Sequence, residues 1–225
     1  MGGTYRPEGY TDNGAFPNHA SVPDSLYRSL VWLDVRLGVL FAVGLPLVLL
    51  VWAAIRREGA MLRLLGIYWK VASLLLIALL LLTGGRRAAF VLLVIAPLLM
   101  TAALWFWVDL NEELTDLPPW RPLPLTLRIW RWSLTLWALA GAGLAATALP
   151  CLAGGLQRPL CQVWLEAPSG LHGVVARVFA FVFGGAWTPA VAAFLGYVGL
   201  VAYVVGLLQW LLVRLPRLGR VAGEF

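Results

Sequence analysis

Long stretches without a charged residue constrain this chain most. The run from Leu37 to Ile55 contains nineteen consecutive uncharged residues, enough to cross about 30 Å of hydrocarbon as a helix rising about 1.5 Å per residue. Of all residues, 61% are hydrophobic and 12% are charged, whereas soluble domains carry about 25% charged residues. The chain lacks the polar groups to cover a water-facing surface. This excludes an ordinary soluble enzyme and predicts an all-α, polytopic membrane helical bundle.

The apolar runs divide into five predicted membrane spans and one shorter helix. The spans are residues 37–55, 64–83, 88–108, about 130–149 and about 188–213. The last uncharged run, 178–213, is 36 residues long, too long for one span and too short for two with a turn. Gly184, Gly185 and Pro189 interrupt it. Residues 171–184 are therefore predicted to form a short interfacial or re-entrant helix.

The domain boundaries follow from composition. Residues 1–22 are rich in Gly, Pro, Asn and Asp and contain no apolar segment, so they predict a flexible tail rather than a signal peptide or a span. Ser21 and Asp24 have the spacing of a capping box, which predicts that the first helix begins near them. Residues 23–215 are predicted to form a single helical membrane domain, followed by a short basic tail at 216–225. Loops at 109–127 and 150–177 separate the later helices.

Small residues occur at four-residue spacing in both of the last two spans. They are Ala138, Ala142 and Ala146 in the fourth span and Ala192 and Gly196 in the fifth. Because small residues let helix backbones approach closely, these two spans are predicted to pack against each other.

The basic residues carry orientation information. Arginine supplies sixteen of the seventeen Lys and Arg residues. With five spans, nine arginines fall on the side of the C-terminus and seven on the side of the N-terminus. The positive-inside rule therefore favours an outside or lumenal N-terminus and a cytoplasmic C-terminus. No basic cluster suits a nucleic-acid surface, so nucleic acid is not predicted as a partner.

Cys151 and Cys161 are the two cysteines of the chain and lie ten residues apart. In the predicted orientation their loop faces the oxidising side of the membrane, where disulfides persist. Glycines and a proline between them allow the chain to turn back. A disulfide is therefore predicted, and two buried free thiols are the alternative.

One basic residue lies deep inside a predicted span. Lys70 is two turns inside the second span, while Asp109, Glu112 and Glu113 follow the third span on one helical face at the same surface. A lysine side chain can extend along a helix toward the membrane surface, so an intramembrane ion pair of Lys70 with Asp109 or Glu112 is predicted. A divalent cation site or proton chemistry on these carboxylates is the alternative, but no His or Cys on that side completes it.

The sequence predicts no catalytic, metal-binding or cofactor-binding set. His19 and His172 are the two histidines and lie outside the spans, which argues against bis-histidine haem ligation in the membrane. A single pigment ligand at His172 is the alternative. The cysteine spacing is not C-x-x-C, and the chain lacks a Walker loop, H-E-x-x-H and G-x-S-x-G.

Four segments resemble a known family. They are SLVWLDVRLGVLF (29–41), IYWKVASLL (67–75), WFWVDLNEE (105–113) and CQVWLEAP (161–168). They resemble an uncharacterised family of multi-pass membrane proteins of cyanobacteria, a domain of unknown function, over roughly residues 26–215. The resemblance implies the plasma or thylakoid membrane of a photosynthetic bacterium, and it implies no activity.

Together these features favour a non-catalytic accessory, assembly or stabilising component of a membrane complex, and the resemblance implies a photosynthetic one. Its partners would be the lipid bilayer and other membrane proteins. Two loops rich in aromatic and charged residues, 118–121 and 163–166, suit protein contacts. A small transporter or channel is the alternative, suggested by Pro46, Pro97, the break at Gly184 and Gly185, and Lys70, and a membrane enzyme ranks third. A transporter needs a polar cavity near mid-bilayer between spans one and three, whereas an accessory protein is solid there.

Overall fold

A computed structural model describes residues 24–118, 120–154 and 156–218, and the secondary structure of this part is helical throughout. The predicted tail 1–22 lies outside the described residues, as does most of the predicted basic tail. The elements, in chain order, are α1 (Asp24–Gly38), a π-helical segment (Val39–Gly44), α2 (Leu45–Arg56), α3 (Gly59–Thr83), α4 (Ala88–Trp105), α5 (Val108–Asp116), α6 (Pro122–Ala146), a 3-10 turn (Leu149–Leu152), α7 (Pro159–Glu166), α8 (Ser169–Phe183), α9 (Pro189–Gln209), a second π-helical segment (Trp210–Arg214) and α10 (Leu215–Leu218).

The prediction of an all-α bundle of membrane-spanning helices is confirmed. Four described helices are long and apolar enough to cross a membrane: Ser25–Arg56, Gly59–Thr83, Ala88–Trp105 and Pro189–Arg217. They correspond to predicted spans one, two, three and five.

The fourth predicted span is α6, which is as long as α3 but less apolar, and it is not among these four helices. It lies along α4 in the opposite direction. At one end the indole N–H of Trp105 donates to the Thr135 hydroxyl over 3.0 Å, and at the other Phe90 and Ala145 belong to the same buried cluster. The helix α6 therefore extends through the same depth as α4.

The bundle has two distinct ends. At the disulfide end, which contains α7, the Trp164 indole donates to the Tyr27 hydroxyl over 2.8 Å and Arg28 pairs with Glu166. At the α5 end, Arg63 near the start of α3 pairs with Glu113 of α5 over 2.5 Å. Because α1 begins at the disulfide end and α9 ends at the α5 end, the helical part of the chain begins and ends at opposite ends of the bundle.

Pro46 explains the π-helical segment in the first span. A proline has no N–H and therefore cannot donate to the carbonyl of the preceding turn. In addition, the N–H of Leu45 donates to the Leu40 carbonyl, five residues back. As a result, the carbonyl oxygens of Phe41 and Ala42 lose helical donors in the middle of a membrane span.

Two aromatic side chains replace those donors. The Trp130 indole of α6 donates to the Phe41 carbonyl over 2.8 Å, and the Tyr68 hydroxyl of α3 donates to the Ala42 carbonyl over 2.7 Å. The Tyr68 and Trp130 rings meet edge to face with centroids 5.1 Å apart, and both side chains are buried. Tyr68 and Trp130 therefore tie the first span to α3 and α6 and fill the centre of the bundle.

Tyr68→Phe is expected to lower the free energy of unfolding by about 1 to 2 kcal/mol, because it leaves the buried Ala42 carbonyl without this donor. Equilibrium unfolding in mixed detergent micelles measures the change. Tyr197→Phe is the matched control, since Tyr197 lies exposed on α9 and its loss is expected to change little. Equal unfolding curves for the two variants would contradict this role of Tyr68.

The predicted pairing of spans four and five is wrong, because α9 packs mainly against α3. Near the disulfide end, a Cβ atom on Gly84 would lie 2.7 Å from the Ala193 Cβ, and one on Gly196 would lie 2.8 Å from the Leu81 side chain. On α6, a small residue allows close approach to α1 instead. A Cβ on Gly141 would lie 2.7 Å from the Asp34 carboxylate of α1. Small-residue spacing identified close-packed faces without identifying their partners.

Gly84→Ala is expected to destabilise the α3–α9 contact by about 1 to 2 kcal/mol, because the added methyl group meets the Ala193 backbone as well as its side chain. Thermal unfolding in detergent measures this loss. Gly143→Ala is the control, since a Cβ there meets no atom within 4 Å. A Gly84 variant as stable as the Gly143 variant would show that α9 shifts freely.

The two predicted loops contain more helix than expected. The segment 109–127 holds most of α5 and the start of α6, which begins at Pro122 rather than near residue 130. A proline in the first turn of a helix removes no needed hydrogen bond, so the prolines that suggested a loop are compatible with the helix start. The second loop holds the 3-10 turn and α7. The predicted short helix at 171–184 corresponds to α8, Ser169–Phe183.

Candidate functional site

The segment Trp105–Glu113 joins α4 to α5 and surrounds a buried arginine of α6. Arg131 is only 6% exposed. Its Nη2 donates to the Leu104 carbonyl over 2.7 Å and to the Asn111 side-chain oxygen over 2.5 Å. Its guanidinium lies 4.2 Å from the centre of the Trp105 ring. In the sequence, Arg131 counts only as one of the nine arginines on the side of the C-terminus, so its buried position was not predicted.

Local structure explains how this segment reaches Arg131. The α4 helix ends at Trp105, and Trp107 adopts an extended conformation before α5 begins. The Asn111 amide donates to the Trp105 carbonyl over 3.2 Å, which satisfies an acceptor that the end of α4 leaves open. Asn111 thereby holds the turn and accepts from Arg131 with the opposite side of the same amide.

The charge of Arg131 is held by neutral groups. Within the described part of the chain, no carboxylate lies within 4.0 Å of its guanidinium, and its Nε has no hydrogen-bond partner there. An arginine stays protonated in nearly all protein environments. The site therefore joins α4, α5 and α6 through one positive charge whose stability depends on carbonyl and aromatic partners.

An apolar cavity of about 470 Å³ lies next to this segment, between α3, α4 and α9. Close glycine contacts hold α9 to α3 near the disulfide end. Toward the α5 end the helices separate, until Trp210 meets Phe106 and Trp107 with ring centroids 5.9 Å apart. The cavity lies within this separation.

Most of the cavity lining is aliphatic or aromatic, with few polar groups. Among the side chains that the structure describes, Lys70 is the one charged group in the lining, and none in the lining is acidic. Tyr203 adds a hydroxyl and Trp107 an indole. Trp107 is 6% exposed, and its N–H has no hydrogen-bond partner among the residues described. The cavity thus combines hydrocarbon-compatible walls with hydrogen-bond donors.

The predicted ion-pair residues all lie at or near the α5 end. Lys70 and Trp107 both line the cavity, and Trp107 lies two residues before Asp109 in the chain. Glu112 is exposed on α5, and its neighbour Glu113 pairs with Arg63 instead. The pairing of Lys70 with Asp109 or Glu112 stays a prediction.

The two cysteines lie together at the disulfide end. Cys151 is in the 3-10 turn and Cys161 in α7, with Cα atoms 6.0 Å apart and the sulfurs at bonding distance. Both side chains are buried. This arrangement agrees with the predicted disulfide.

The two loops expected to contact partners differ in exposure. Trp164 is 2% exposed and belongs to the core of the disulfide end, and Glu166 pairs with Arg28. The loop 163–166 was therefore wrongly assigned to partner contacts. Trp120, in the turn between α5 and α6, is 80% exposed and remains available.

In the part of the chain that the structure describes, no group of three or more His, Cys, Asp and Glu side chains could hold a metal ion. The side chains of His19 and His172 lie outside that part. The alternative of a pigment ligand at His172 stays a prediction.

Residues 28–223 match the sequence model of a family described as "Protein of unknown function (DUF3177)". No curated protein and no solved structure matches the chain. The matched range covers almost all of the segment 26–215 that carried the family resemblance.

Proposed function

Because the chain belongs to the DUF3177 family of proteins of unknown function, we propose its function from the geometry. It is a non-catalytic integral membrane protein that acts as an accessory, assembly or stabilising component of a larger membrane complex. The family resemblance suggests a photosynthetic membrane as the place of that complex, either plasma or thylakoid.

The observation that supports this proposal best is the filled centre of the bundle. A transporter with a broken first span would use the free carbonyls near Pro46 to hold its substrate. Here the Phe41 and Ala42 carbonyls accept hydrogen bonds from Trp130 and Tyr68. The groups that could have bound a polar solute serve helix packing instead.

The alternative of a small transporter or channel has weaker support. The cavity of about 470 Å³ lies between spans two, three and five rather than between spans one and three. Its walls are apolar, whereas a path for ions or polar solutes needs polar groups at successive depths. The cavity suits retention of a hydrophobic molecule better than passage of a polar one.

Exposed aromatic residues offer surfaces for a partner. Trp120 and Arg121 form an exposed turn at the α5 end, and Trp and Arg are frequent anchors of protein interfaces. On α8, which has 15 residues, Phe181 is 90% exposed. Either surface can contact a neighbouring membrane protein at the edge of the bilayer.

Affinity purification in mild detergent, followed by mass spectrometry, tests the proposal. We expect a stoichiometric membrane-protein partner, and we expect Trp120→Ala with Arg121→Ala to reduce its recovery about tenfold or more. Ile129→Ala is the control, because Ile129 is exposed on α6 away from the turn. A monodisperse protein without partners would overturn the accessory role, and unchanged recovery in the double variant would exclude the turn as the contact.

A further inference from the structure

We propose that the cavity between α3, α4 and α9 binds one acyl chain of an anionic phospholipid from the surrounding bilayer, with the lipid phosphate at the ammonium group of Lys70. This inference is independent of the accessory role, since a lipid site is compatible with any function of the bundle.

The size of the cavity fits one acyl chain. An engineered cavity of about 150 Å³ holds one benzene molecule, and this cavity, at about 470 Å³, is roughly three times as large. That volume corresponds to a hydrocarbon of roughly eighteen carbon atoms.

The lining and position of the cavity also fit a lipid tail. Leu99, Ala103 and Leu207 are typical of its aliphatic walls, and the cavity is partly open. Because α3, α4 and α9 are apolar and long enough to cross a membrane, an opening between them faces hydrocarbon in a bilayer. One chain of a phospholipid can therefore enter from the membrane while its second chain stays outside.

The charge near the cavity fits an anionic head. Lys70 brings a positive charge to the lining. Phosphate oxygens only accept hydrogen bonds, so they complement its ammonium group. In the described part of the chain, no acidic residue of the lining opposes a negative charge.

The depth of Lys70 is compatible with a headgroup. Lys70 is seven residues after Arg63 on α3, about 10 Å of helix rise, and Arg63 pairs at the end of the bundle. A lysine stem can lie along apolar surface while its ammonium reaches toward the interface. The phosphate would then lie just inside the level of Arg63, with the chain extending toward Tyr203.

Native mass spectrometry of the full chain tests the site. The probes are dioleoyl phosphatidylglycerol, which is anionic, and dioleoyl phosphatidylcholine, which is zwitterionic and has the same chains. We expect one retained phosphatidylglycerol, bound about fivefold more tightly than phosphatidylcholine, as one lysine near an anionic head predicts. Equal retention of both lipids by the unmodified chain would overturn the assignment of the head to Lys70.

A matched pair of glycine variants tests the position of the chain. A Cβ on Gly206, which lines the cavity, meets no atom within 4 Å, so Gly206→Leu fills the space without a backbone clash. Gly143→Leu adds the same side chain at an equally open position outside the cavity. We expect Gly206→Leu to weaken phosphatidylglycerol binding about tenfold or more, while Gly143→Leu leaves it unchanged. Equal binding by the two variants would overturn the proposal.

Lysine variants test the head separately. Lys70→Gln is expected to abolish the preference for phosphatidylglycerol while both lipids still bind, and Lys70→Arg is expected to restore the preference. If Lys70→Gln and Lys70→Arg both lose the preference for phosphatidylglycerol, the positive charge at position 70 does not select the lipid head. The glycine pair keeps the test decisive if a lysine variant fails to fold.

Discussion

Replacing Asn111 with leucine is expected to lower the free energy of unfolding by about 3 kcal/mol, a large effect for a residue in a short helix at the end of the bundle. Leucine is similar in size but cannot accept from the Arg131 guanidinium, which Asn111 contacts over 2.5 Å. A hydrogen bond to a charged group contributes about 1.5 to 3 kcal/mol. The variant also loses the amide that donates to the Trp105 carbonyl.

Arg131→Met is expected to lower the free energy of unfolding by about 1 kcal/mol, which is less than the effect of Asn111→Leu. Removing the buried charge also removes its desolvation penalty, whereas removing its partner leaves the charge poorly compensated. Combining the two substitutions should therefore cost less than the sum of the single effects. Equilibrium unfolding of the two single variants and the double variant in mixed micelles measures this coupling.

Arg63→Met is the control for removing an arginine. Arg63 pairs with Glu113 where both side chains are partly exposed, and such pairs contribute about 0 to 1 kcal/mol. Additive effects of Asn111→Leu and Arg131→Met would show that the two side chains do not stabilise each other.

Replacing both Cys151 and Cys161 with alanine is expected to lower the free energy of unfolding by about 3 kcal/mol. The two cysteines are ten residues apart, and a crosslink over such a loop restricts the unfolded chain by about that amount. The loss of stability is expected at the disulfide end, where the buried cluster includes both cysteines and Trp164. Thermal unfolding in detergent without reductant measures it.

A reductant provides the control for the cysteine variant. It should lower the stability of the unmodified chain and leave the double alanine variant unchanged. Two alkylatable thiols in membranes prepared without reductant would contradict the disulfide.

The same measurement bears on orientation. Disulfides persist outside the cytoplasm, so a bridge present in the cell would place the disulfide end, and the start of α1, on the outer or lumenal side. The α5 end, with Arg63, Arg121 and Arg128, would then face the cytoplasm, as the arginine distribution predicts.

The sequence predicted the spans well because the physical requirement is local. A helix in hydrocarbon must be long and free of charge over its own length, so the run from Leu37 to Ile55 already indicated the first span. The short α8 followed from the length of the last uncharged run and its glycines. The extra helices at 108–116 and 159–166 were missed, because prolines and carboxylates are compatible with both loops and helix starts.

The candidate site was predicted only in part. The sequence indicated the segment from Trp105 to Glu113, but only its carboxylates were predicted to form a contact. The residues that meet Arg131 are Trp105, Asn111 and the Leu104 carbonyl. An aromatic face, an amide and a backbone oxygen are common groups, and their spacing along the chain does not show that they converge on one residue of another helix.

Pro46 illustrates the same limit. Its presence indicated a break in the first span, and a break suggested either a substrate site or an ordinary membrane-helix proline. The choice depended on whether another helix brought donors to the Phe41 and Ala42 carbonyls. Tyr68 and Trp130 do so from two other helices, which turns a possible binding site into a packing contact.

The sequence by itself determined that this chain is a helical membrane bundle, where its spans lie and which ends carry charge, because burial in hydrocarbon is decided residue by residue along one helix. The tertiary structure alone decided that α9 packs on α3, that Arg131 is buried among neutral partners, and that a cavity opens beside Lys70. These features depend on which helix faces which. Within a bilayer almost every apolar face is compatible with lipid, so hydrophobicity does not select the neighbour, and close packing and interhelical hydrogen bonds do.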